Sequence, residues 1–232
     1  MLEIGLPGLG PHRSSRSYVC LPGGVDVPAV LGSRSTQIRG AFGGLEGRTL
    51  RVGDRLRGRA ESPAAGWRPM AIVAPELALP LRVDGCRALR VLPAAESDRY
   101  TEASQEAFWR QSWKITPQSD RYGYRLSGAE PLVARQAMEM RSHGIVPGVI
   151  QVPPDGQPIV QMRDGQPTGG YPKWGTVIEA DLWRLGQAPI GERVRFVLTD
   201  WDGALDAHEQ MQDWLAQVRR DLGLYGTLSG QT

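Results

Sequence analysis

The sequence is poor in the residues that build disulfide frameworks and metal sites. Its 232 residues include two cysteines, Cys20 and Cys86, and three histidines. Two cysteines could pair, but in a chain of this length they are more typical of a reducing cytoplasm than of a disulfide framework, so we expect a cytoplasmic protein. Because the histidines are widely scattered along the sequence, we expect no metal site.

The chain also lacks an excess of one charge and any long apolar run. Its 27 basic and 25 acidic residues give a formal charge of +2, so electrostatics do not favour nucleic acid as a partner. No apolar run approaches the roughly 20 residues that a membrane helix needs, and no signal peptide opens the chain. We therefore expect neither a nucleic-acid partner nor a membrane partner.

Two common catalytic motifs are missing as well. The sequence contains neither the phosphate loop Gly-x-x-x-x-Gly-Lys-Ser/Thr nor the nucleophile elbow Gly-x-Ser-x-Gly. The sequence therefore assigns no nucleophile, no base and no other catalytic residue. An enzyme of this kind would gain most of its rate from holding its reactants together and from stabilising charge that develops between them.

Glycine and proline, by contrast, are abundant. Twenty-nine glycines and eighteen prolines separate short apolar runs, which predicts a mainly β fold with many turns and a few helices. One helix is predicted over residues 101–112, with Thr101 as its cap. A second is predicted over residues 202–222, ending at Gly223, and its apolar spacing is typical of a core or docking helix. Residues 60–71 predict a loop.

Residues 142–172 form the most informative stretch. Residues 146–152 predict a strand, the Pro-Pro-Asp-Gly sequence after them predicts a turn, and residues 157–162 predict a return strand. The far end of the stretch carries polar residues and the pair Gly169-Gly170, which a plain hairpin does not need. Paired glycines expose backbone N–H groups and let a ligand come close, so residues 166–171 predict a ligand-binding loop.

The same stretch resembles the signature of a known protein family. That family is the C component of bacterial ATP-dependent 5-oxoprolinase, also called biotin-dependent carboxyltransferase or allophanate hydrolase subunit 2. The signature residues present here are Gly144, Pro147, Gly148, Gln151, Val152, Pro153, Gly156, Gln157, Pro158, Asp164, Gln166, Thr168, Gly169, Gly170, Tyr171 and Pro172. Pro167 stands where the family usually has Thr. Further segments match in the same order: residues 16–18, 23–28, 32–36, 43–48, 53–56 and 119–126.

The resemblance implies two cyclophilin-like β-barrels in tandem. The family's N-terminal stretch, with its Gln-Asp-x-Gly-Arg-x-Gly-Tyr motif, has no counterpart here, so the first barrel is expected to be incomplete. The expected organisation is residues 1–85 as the C-terminal part of a first barrel, 86–200 as a second barrel, and 201–232 as a C-terminal helix and tail. A weak sequence similarity between residues 50–56 and 188–194 also favours two similar units.

The resemblance and the loop chemistry together give candidate site residues. The expected substrate-binding set is Asp120, Arg121, Tyr124, Gln151, Gln166, Thr168, Gly169, Gly170 and Tyr171. Arg121 is open to two interpretations, a fork that binds a carboxylate or phosphate, or a structural ion pair within a turn. His143 is equally open, as an acid or base or as a solvated turn residue. Asp26 and Arg34 are expected to pair and support their loop.

The resemblance implies three functions, and the sequence does not choose among them. The first is one component of an ATP-dependent 5-oxoprolinase, which opens 5-oxo-L-proline to L-glutamate; the chain is expected to be inactive alone. The second is carboxyl transfer from carboxybiotin to urea or a similar amide. The third is a non-catalytic regulator that binds a kinase-inhibitor partner.

Cofactors and partners follow from the first two functions. ATP with Mg²⁺ is expected in the assembled complex. Lys114 and Lys173 lack the Met-Lys-Met setting of a biotinylated domain, so any biotin would be carried by another protein. The expected partners are the B component of such an enzyme, itself of cyclophilin fold, and its large A component, with a small-molecule amide as the substrate.

Overall fold

The computed structural model describes residues 14–60 and 72–228, which fall into two compact units. The larger unit contains residues 14–16 and 72–228, and the smaller contains residues 17–60. The sequence predicted that residues 72–85 belong to the first barrel. In the structure they belong to the larger unit. The predicted loop over residues 60–71 lies almost wholly outside the described residues.

The larger unit is built on a closed seven-stranded barrel. Its strands run in the order β2-β10-β3-β4-β7-β6-β9, and β9 pairs back onto β2; β1 extends the sheet beyond β2, and β5 pairs with β8 as a separate ribbon. The β2–β10 pair is parallel and the other pairs are antiparallel. The strands are β1 Arg82–Val83, β2 Cys86–Pro93, β3 Trp113–Ile115, β4 Gly123–Ser127, β5 His143–Gly144, β6 Val149–Gln151, β7 Ile159–Gln161, β8 Thr168–Gly169, β9 Lys173–Val177 and β10 Arg193–Leu198.

In the described part of the chain, four α-helices and one 3₁₀ helix accompany the barrel. They are α1 Pro75–Ala78, the 3₁₀ helix Ala95–Arg99, α2 Glu102–Arg110, α3 Glu179–Gln187 and α4 Trp201–Leu228. The prediction of a mainly β fold with a few helices is confirmed. Among the described residues, no helix is both long enough and apolar enough to span a membrane.

Aromatic side chains fill the barrel. Phe108 of α2 stacks on Phe196 of β10 at 4.7 Å and on Trp174 of β9 at 4.3 Å between ring centroids, and Trp113 of β3 lies beside them. All four rings are almost fully buried. Such large apolar rings give most of the stabilisation of a small barrel, because each removes a large area from water. The core therefore fixes α2 against the barrel.

The predicted helices are present with different ends. Thr101 caps α2 as expected, because its hydroxyl accepts the Ser104 N–H at 3.2 Å. The predicted stop of the last helix at Gly223 is wrong, since α4 runs to Leu228. A Cβ on Gly223 would meet no atom within 4 Å, so nothing there forces the chain out of the helix. Helix α3 was not predicted from the sequence.

Helix α3 is tied to the barrel by a buried carboxylate. Asp181 is fully buried and accepts two hydrogen bonds of 2.8 Å from the Arg90 guanidinium and one of 3.1 Å from Arg184. The backbone N–H of Arg90 donates a further bond to it, at 2.9 Å. The bond to Asp181 raises the pKa of Arg90, whereas burial lowers the pKa of Arg184. The carboxylate therefore has the partners that a buried charge requires.

The predicted hairpin is confirmed in β6 and β7. The two strands pair antiparallel, with Ile150 opposite Val160. The turn between them is closed by the Gly156 N–H, which donates to the Pro153 carbonyl at 2.9 Å. Asp155 accepts the Gln157 N–H at 3.0 Å, as expected of an Asx turn.

Residues 17–60 form turns and isolated bridges, and no strand is assigned within this described range. Their main electrostatic contact is a bidentate pair in which Arg48 donates to Asp54 at 2.8 and 2.9 Å. No ion pair joins Asp26 to Arg34 in this range, where both side chains are exposed. Their loop is held instead by the backbone, since the Asp26 N–H donates to the Arg57 carbonyl at 2.8 Å.

The sequence similarity between residues 50–56 and 188–194 corresponds to a shared turn geometry. The Asp54 N–H donates to the Arg51 carbonyl, and the Glu192 N–H donates to the Pro189 carbonyl, both at 3.1 Å. The intervening glycines have φ angles of 94° at Gly53 and 88° at Gly191, a region that favours glycine. Each acidic residue then accepts a guanidinium, from Arg48 in one turn and from Arg87 in the other. The two units thus contain the same turn.

We expect the smaller unit to lose stability in acid, because the ion pair in its turn requires an ionised Asp54 carboxylate. The hydrogen bonds from Arg48 lower the pKa of Asp54 from 3.8 to about 2. Because the folded pKa lies below the unfolded value, the stabilisation is complete above pH 3.8 and is lost as the pH falls toward 2. We expect faster amide exchange across residues 17–60 in that window. Arg48→Met should move the Asp54 titration, followed by NMR, back toward 3.8; an unchanged titration would contradict the assignment.

Candidate functional site

The Gly169-Gly170 loop lies against the outer surface of the barrel. Gly169 belongs to the β5–β8 ribbon, opposite His143, and Gly144 lies opposite Thr168. A Cβ on Gly169 would lie 2.4 Å from the Gln151 Nε2 and 3.0 Å from the Ile145 Cδ1. Neither Gly169 nor Gly170 has a positive φ, so the feature that glycine provides at residue 169 is the close approach of two side-chain ends. The space is filled by the amide of Gln151.

Gln151 is one of two residues whose buried polar atoms have no partner at this place. Its side chain is 4% exposed, yet its Nε2 has no hydrogen-bond partner among the described residues. The Nε2 of His143 is likewise buried and without a partner in the described chain. Unpaired buried polar groups cost stability and are therefore rare away from functional sites. Four other buried side-chain atoms of the described residues also lack a partner, so these two mark a candidate site only together with the signature residues that surround them.

A largely shielded ion pair lies next to the same surface. Lys173 is the cross-strand partner of Gln151, so their side chains are neighbours. The Lys173 ammonium is 3.5 Å from the Glu96 carboxylate, and the two side chains are 15% and 19% exposed. Nearby, burial, with a smaller contribution from Glu96, raises the pKa of Tyr100 to about 12. The site therefore combines amide, imidazole and ammonium groups, all able to hydrogen-bond a polar ligand.

Two predicted site residues make structural contacts. Asp120 accepts the backbone N–H groups of Tyr122 and Gly123 at 2.8 and 3.2 Å, which closes a turn. Arg121 pairs with Asp164 at 3.0 Å, and the Asp164 N–H donates to the Arg121 carbonyl at 3.1 Å. The second of the two interpretations of Arg121, a structural ion pair, is thus the one observed.

The remaining predicted residues fall in two places. Tyr124 is buried, and its hydroxyl accepts a bond of 2.9 Å from Arg16. Gln166, Thr168 and Tyr171 are exposed along the ribbon and the segments that flank it, and the Gln166 carbonyl accepts the Gln161 amide at 2.8 Å. The structure thus brings Gln151, Thr168, Gly169, Gly170 and Tyr171 to one surface. Their roles in substrate binding stay a prediction.

Sequence reasoning missed Lys173 and Glu96 as site residues. Lys173 directly follows the Gly-Gly-Tyr-Pro motif and is one of two lysines in an arginine-rich chain. An ammonium is a compact, strongly hydrated charge that arginine does not replace in a small site. That signal was available in the sequence. Glu96 carried no comparable signal, because it lies 77 positions from Lys173 and only the fold brings them together.

A separate apolar groove of about 340 Å³ lies between β9 and the start of α4. It is bordered by Val146, Pro147, Ile178, Trp201 and Leu205. The groove contains none of the unpartnered polar atoms, so it is distinct from the candidate site. Within the described ranges, no three His, Cys, Asp or Glu side chains gather as a metal site requires.

Comparison with known proteins identifies relatives across most of the chain. The family model for the carboxyltransferase domain, subdomain A and B, matches residues 2–198. The C component of the Escherichia coli K12 5-oxoprolinase is 42% identical over 212 residues, covering 90% of this chain and 64% of that protein. The equivalent protein of Haemophilus influenzae is 39% identical, covering 88% and 62%. The chain thus spans less than two thirds of the length of these two relatives.

A solved structure agrees with these matches. The crystal structure of the Kluyveromyces lactis urea carboxylase has a TM-score of 0.68, with 27% identity over 84% of this chain and 19% of that one. The family expected from the sequence motifs is therefore confirmed, and both the oxoprolinase and the urea carboxylase branches are represented.

Proposed function

Because this chain belongs to the family of carboxyltransferase domains, subdomain A and B, we propose that it is one component of a 5-oxoprolinase. The observation that carries the proposal is the 42% identity with the C component of the E. coli enzyme over 90% of the chain. Such a complex would hydrolyse the lactam of 5-oxo-L-proline to L-glutamate and split ATP. The proposed partners are proteins like the A and B components of that enzyme, and the proposed location is the cytoplasm.

The residues of this chain would bind and orient the substrate. The candidate site offers hydrogen-bonding groups on a barrel with a rigid aromatic core, and positioning of reactants is a large part of enzymatic rate enhancement. ATP supplies the energy that opens a stable lactam. The sequence has no phosphate loop, and the described residues gather no carboxylates for Mg²⁺, so we propose that the nucleotide is held with the partner proteins.

Carboxyl transfer is the second candidate function. The fold shared with the K. lactis urea carboxylase favours it, and the biotin would then arrive on another protein. Urea and a lactam both present a planar amide, so the same surface suits either substrate. A chain with neither activity in any assembly would fit the regulatory alternative.

Reconstitution tests the proposal. We expect the purified chain alone to release no glutamate from 5-oxo-L-proline, because the site is completed by its partners. Co-expression with the A-like and B-like components from the same genome should give glutamate release that requires ATP. Carboxybiotin-dependent carboxylation of urea is assayed in parallel. Robust turnover by the single chain would contradict the predicted need for partners, and urea carboxylation without lactam hydrolysis would favour the second function.

A further inference from the structure

The two unpartnered polar atoms of the candidate site lie on the same side of the β5–β8 ribbon. His143 and Gly169 are directly opposite each other in the antiparallel pair, so their side-chain directions coincide. The direction that a Cβ of Gly169 would take is occupied by the Gln151 amide nitrogen. The imidazole of His143 and the amide of Gln151 are therefore neighbours beneath the ribbon.

One of these atoms is an acceptor and the other a donor. The Nδ1 of His143 is 2.8 Å from the Arg141 carbonyl oxygen, which can only accept, so Nδ1 carries the hydrogen. In the neutral imidazole this leaves a lone pair on Nε2. The Nε2 of Gln151 carries two N–H groups and no acceptor capacity. The imidazole can therefore accept a hydrogen bond from an N–H of a ligand, and the Gln151 amide can donate one to a C=O of the same ligand. Both groups face the same small region.

A cis amide is the ligand group that complements this arrangement. In a trans amide the N–H and C=O point in opposite directions, whereas in a five-membered lactam they lie on the same edge. Urea also presents both groups on one edge. We propose that His143 and Gln151 bind the cis-amide edge of the substrate, with His143 accepting its N–H and Gln151 donating to its carbonyl oxygen.

The ribbon covers this pair. Both polar atoms are closed to water in the structure, and the ribbon consists of two residue pairs. The pairing continues to the Ile145 N–H, which donates to the Pro167 carbonyl at 2.9 Å. Few backbone bonds therefore hold the ribbon, and access of a ligand to the two atoms requires it to move. Pairing with a cis amide then satisfies groups that are otherwise unpaired. The identity of the substrate rests on the proposed function, whereas the choice of a cis-amide edge rests on the geometry.

Two small lactams test the proposal directly. 2-Pyrrolidinone has both the N–H and the C=O, and N-methyl-2-pyrrolidinone lacks the N–H. Binding is measured by ligand-observed NMR with the purified chain and with the chain assembled with its partners. We expect 2-pyrrolidinone to bind at least about tenfold more tightly than its N-methyl analogue. His143→Ala should remove that preference, and Gln151→Met, which keeps the side-chain volume, should weaken both ligands.

Matched controls separate this effect from a loss of folding. His208→Ala and Gln210→Met change the same residue types on the exposed surface of α4, and they should leave the preference unchanged. Thermal unfolding shows whether each variant is folded. Equal binding of the two lactams by the unmodified protein, failure of both to bind in either preparation, or an unchanged preference in folded His143→Ala would overturn the proposal.

The outcomes also distinguish this proposal from the proposed function. If the assembled enzyme hydrolyses 5-oxo-L-proline with an unchanged KM in both variants, the function stands and the cis-amide site is wrong. If the assembly carboxylates urea instead, and both variants raise the KM for urea about tenfold, the cis-amide site stands and the oxoprolinase function is wrong.

Discussion

Replacing Gly169 by valine is expected to lower turnover by the assembled enzyme at least about 100-fold, the loss typical of a misplacement of about 1 Å in a site. The first added carbon would lie 2.4 Å from the Gln151 amide nitrogen and 3.0 Å from the Ile145 Cδ1. No real Cβ tolerates such contacts, so either the ribbon or the Gln151 side chain must move. Either movement changes the position of the Gln151 amide relative to the ribbon. The measurement is ATP-dependent glutamate release from 5-oxo-L-proline.

Gly144→Ala is the matched control for this variant. Gly144 lies in the same ribbon, opposite Thr168, and a Cβ there meets no atom within 4 Å. Its φ is not positive, so alanine fits without strain and turnover should stay within about twofold of the unmodified enzyme. The barrel core lies elsewhere, and both variants should keep their thermal unfolding transition. Near-normal turnover in Gly169→Val would show that the loop is merely structural.

Replacing Asp181 by alanine is expected to destabilise the larger unit by about 3–5 kcal/mol. The carboxylate is fully buried and holds Arg90 and Arg184 together. Its removal leaves two guanidinium groups without their counter-charge, and Arg184 is itself largely buried. Since Asp181 also joins α3 to the backbone of β2, the helix should separate from the barrel first. Urea titration monitored by tryptophan fluorescence measures the free energy of unfolding.

Asp206→Ala serves as the control for this experiment. Asp206 is exposed on α4, and its loss should change the free energy of unfolding by no more than about 0.5 kcal/mol. Arg90→Leu should reproduce much of the Asp181→Ala effect, because it also removes one side of the pair. A loss below about 1 kcal/mol in Asp181→Ala would mean that the contact is not a stabilising one.

Sequence patterns predicted the strands and helices whose formation depends on residues close together in the chain. The hairpin of β6 and β7 follows from alternation around a Pro-Pro-Asp-Gly turn, and α2 follows from its Thr cap. Helix α3 was missed because its stabilisation is not local: Asp181, which reads as a polar surface residue in sequence, is buried against Arg90 of a distant strand. The end of α4 was misplaced because Gly223 does not take the positive φ with which glycine ends a helix, and the helix continues through it.

In the candidate site, too, the parts that a local motif indicates were predicted and the distant contacts were not. The Gly-Gly loop and Gln151 were predicted from the motif, and the structure places Gly169 against the Gln151 side chain. The close approach of the Gln151 side chain to Gly169 was not predicted. Asp120 closes a nearby turn, and Arg121, which the sequence left open between a ligand fork and an ion pair, pairs with Asp164. These roles depend on contacts between residues that are separated in the sequence, and a single sequence does not show such contacts.

The parallel pairing of β2 with β10 has a consequence for how this protein is made. Arg87 lies opposite Val194, so strand β2 leaves the ribosome roughly a hundred residues before its neighbour exists. During that interval its partners are the two-residue strand β1 and, later, β9, and the apolar side of β2 stays open. Pairings between such distant residues make folding slow. Synthesis in cells should therefore benefit from chaperones or from slower translation, more than the modest size of the chain suggests.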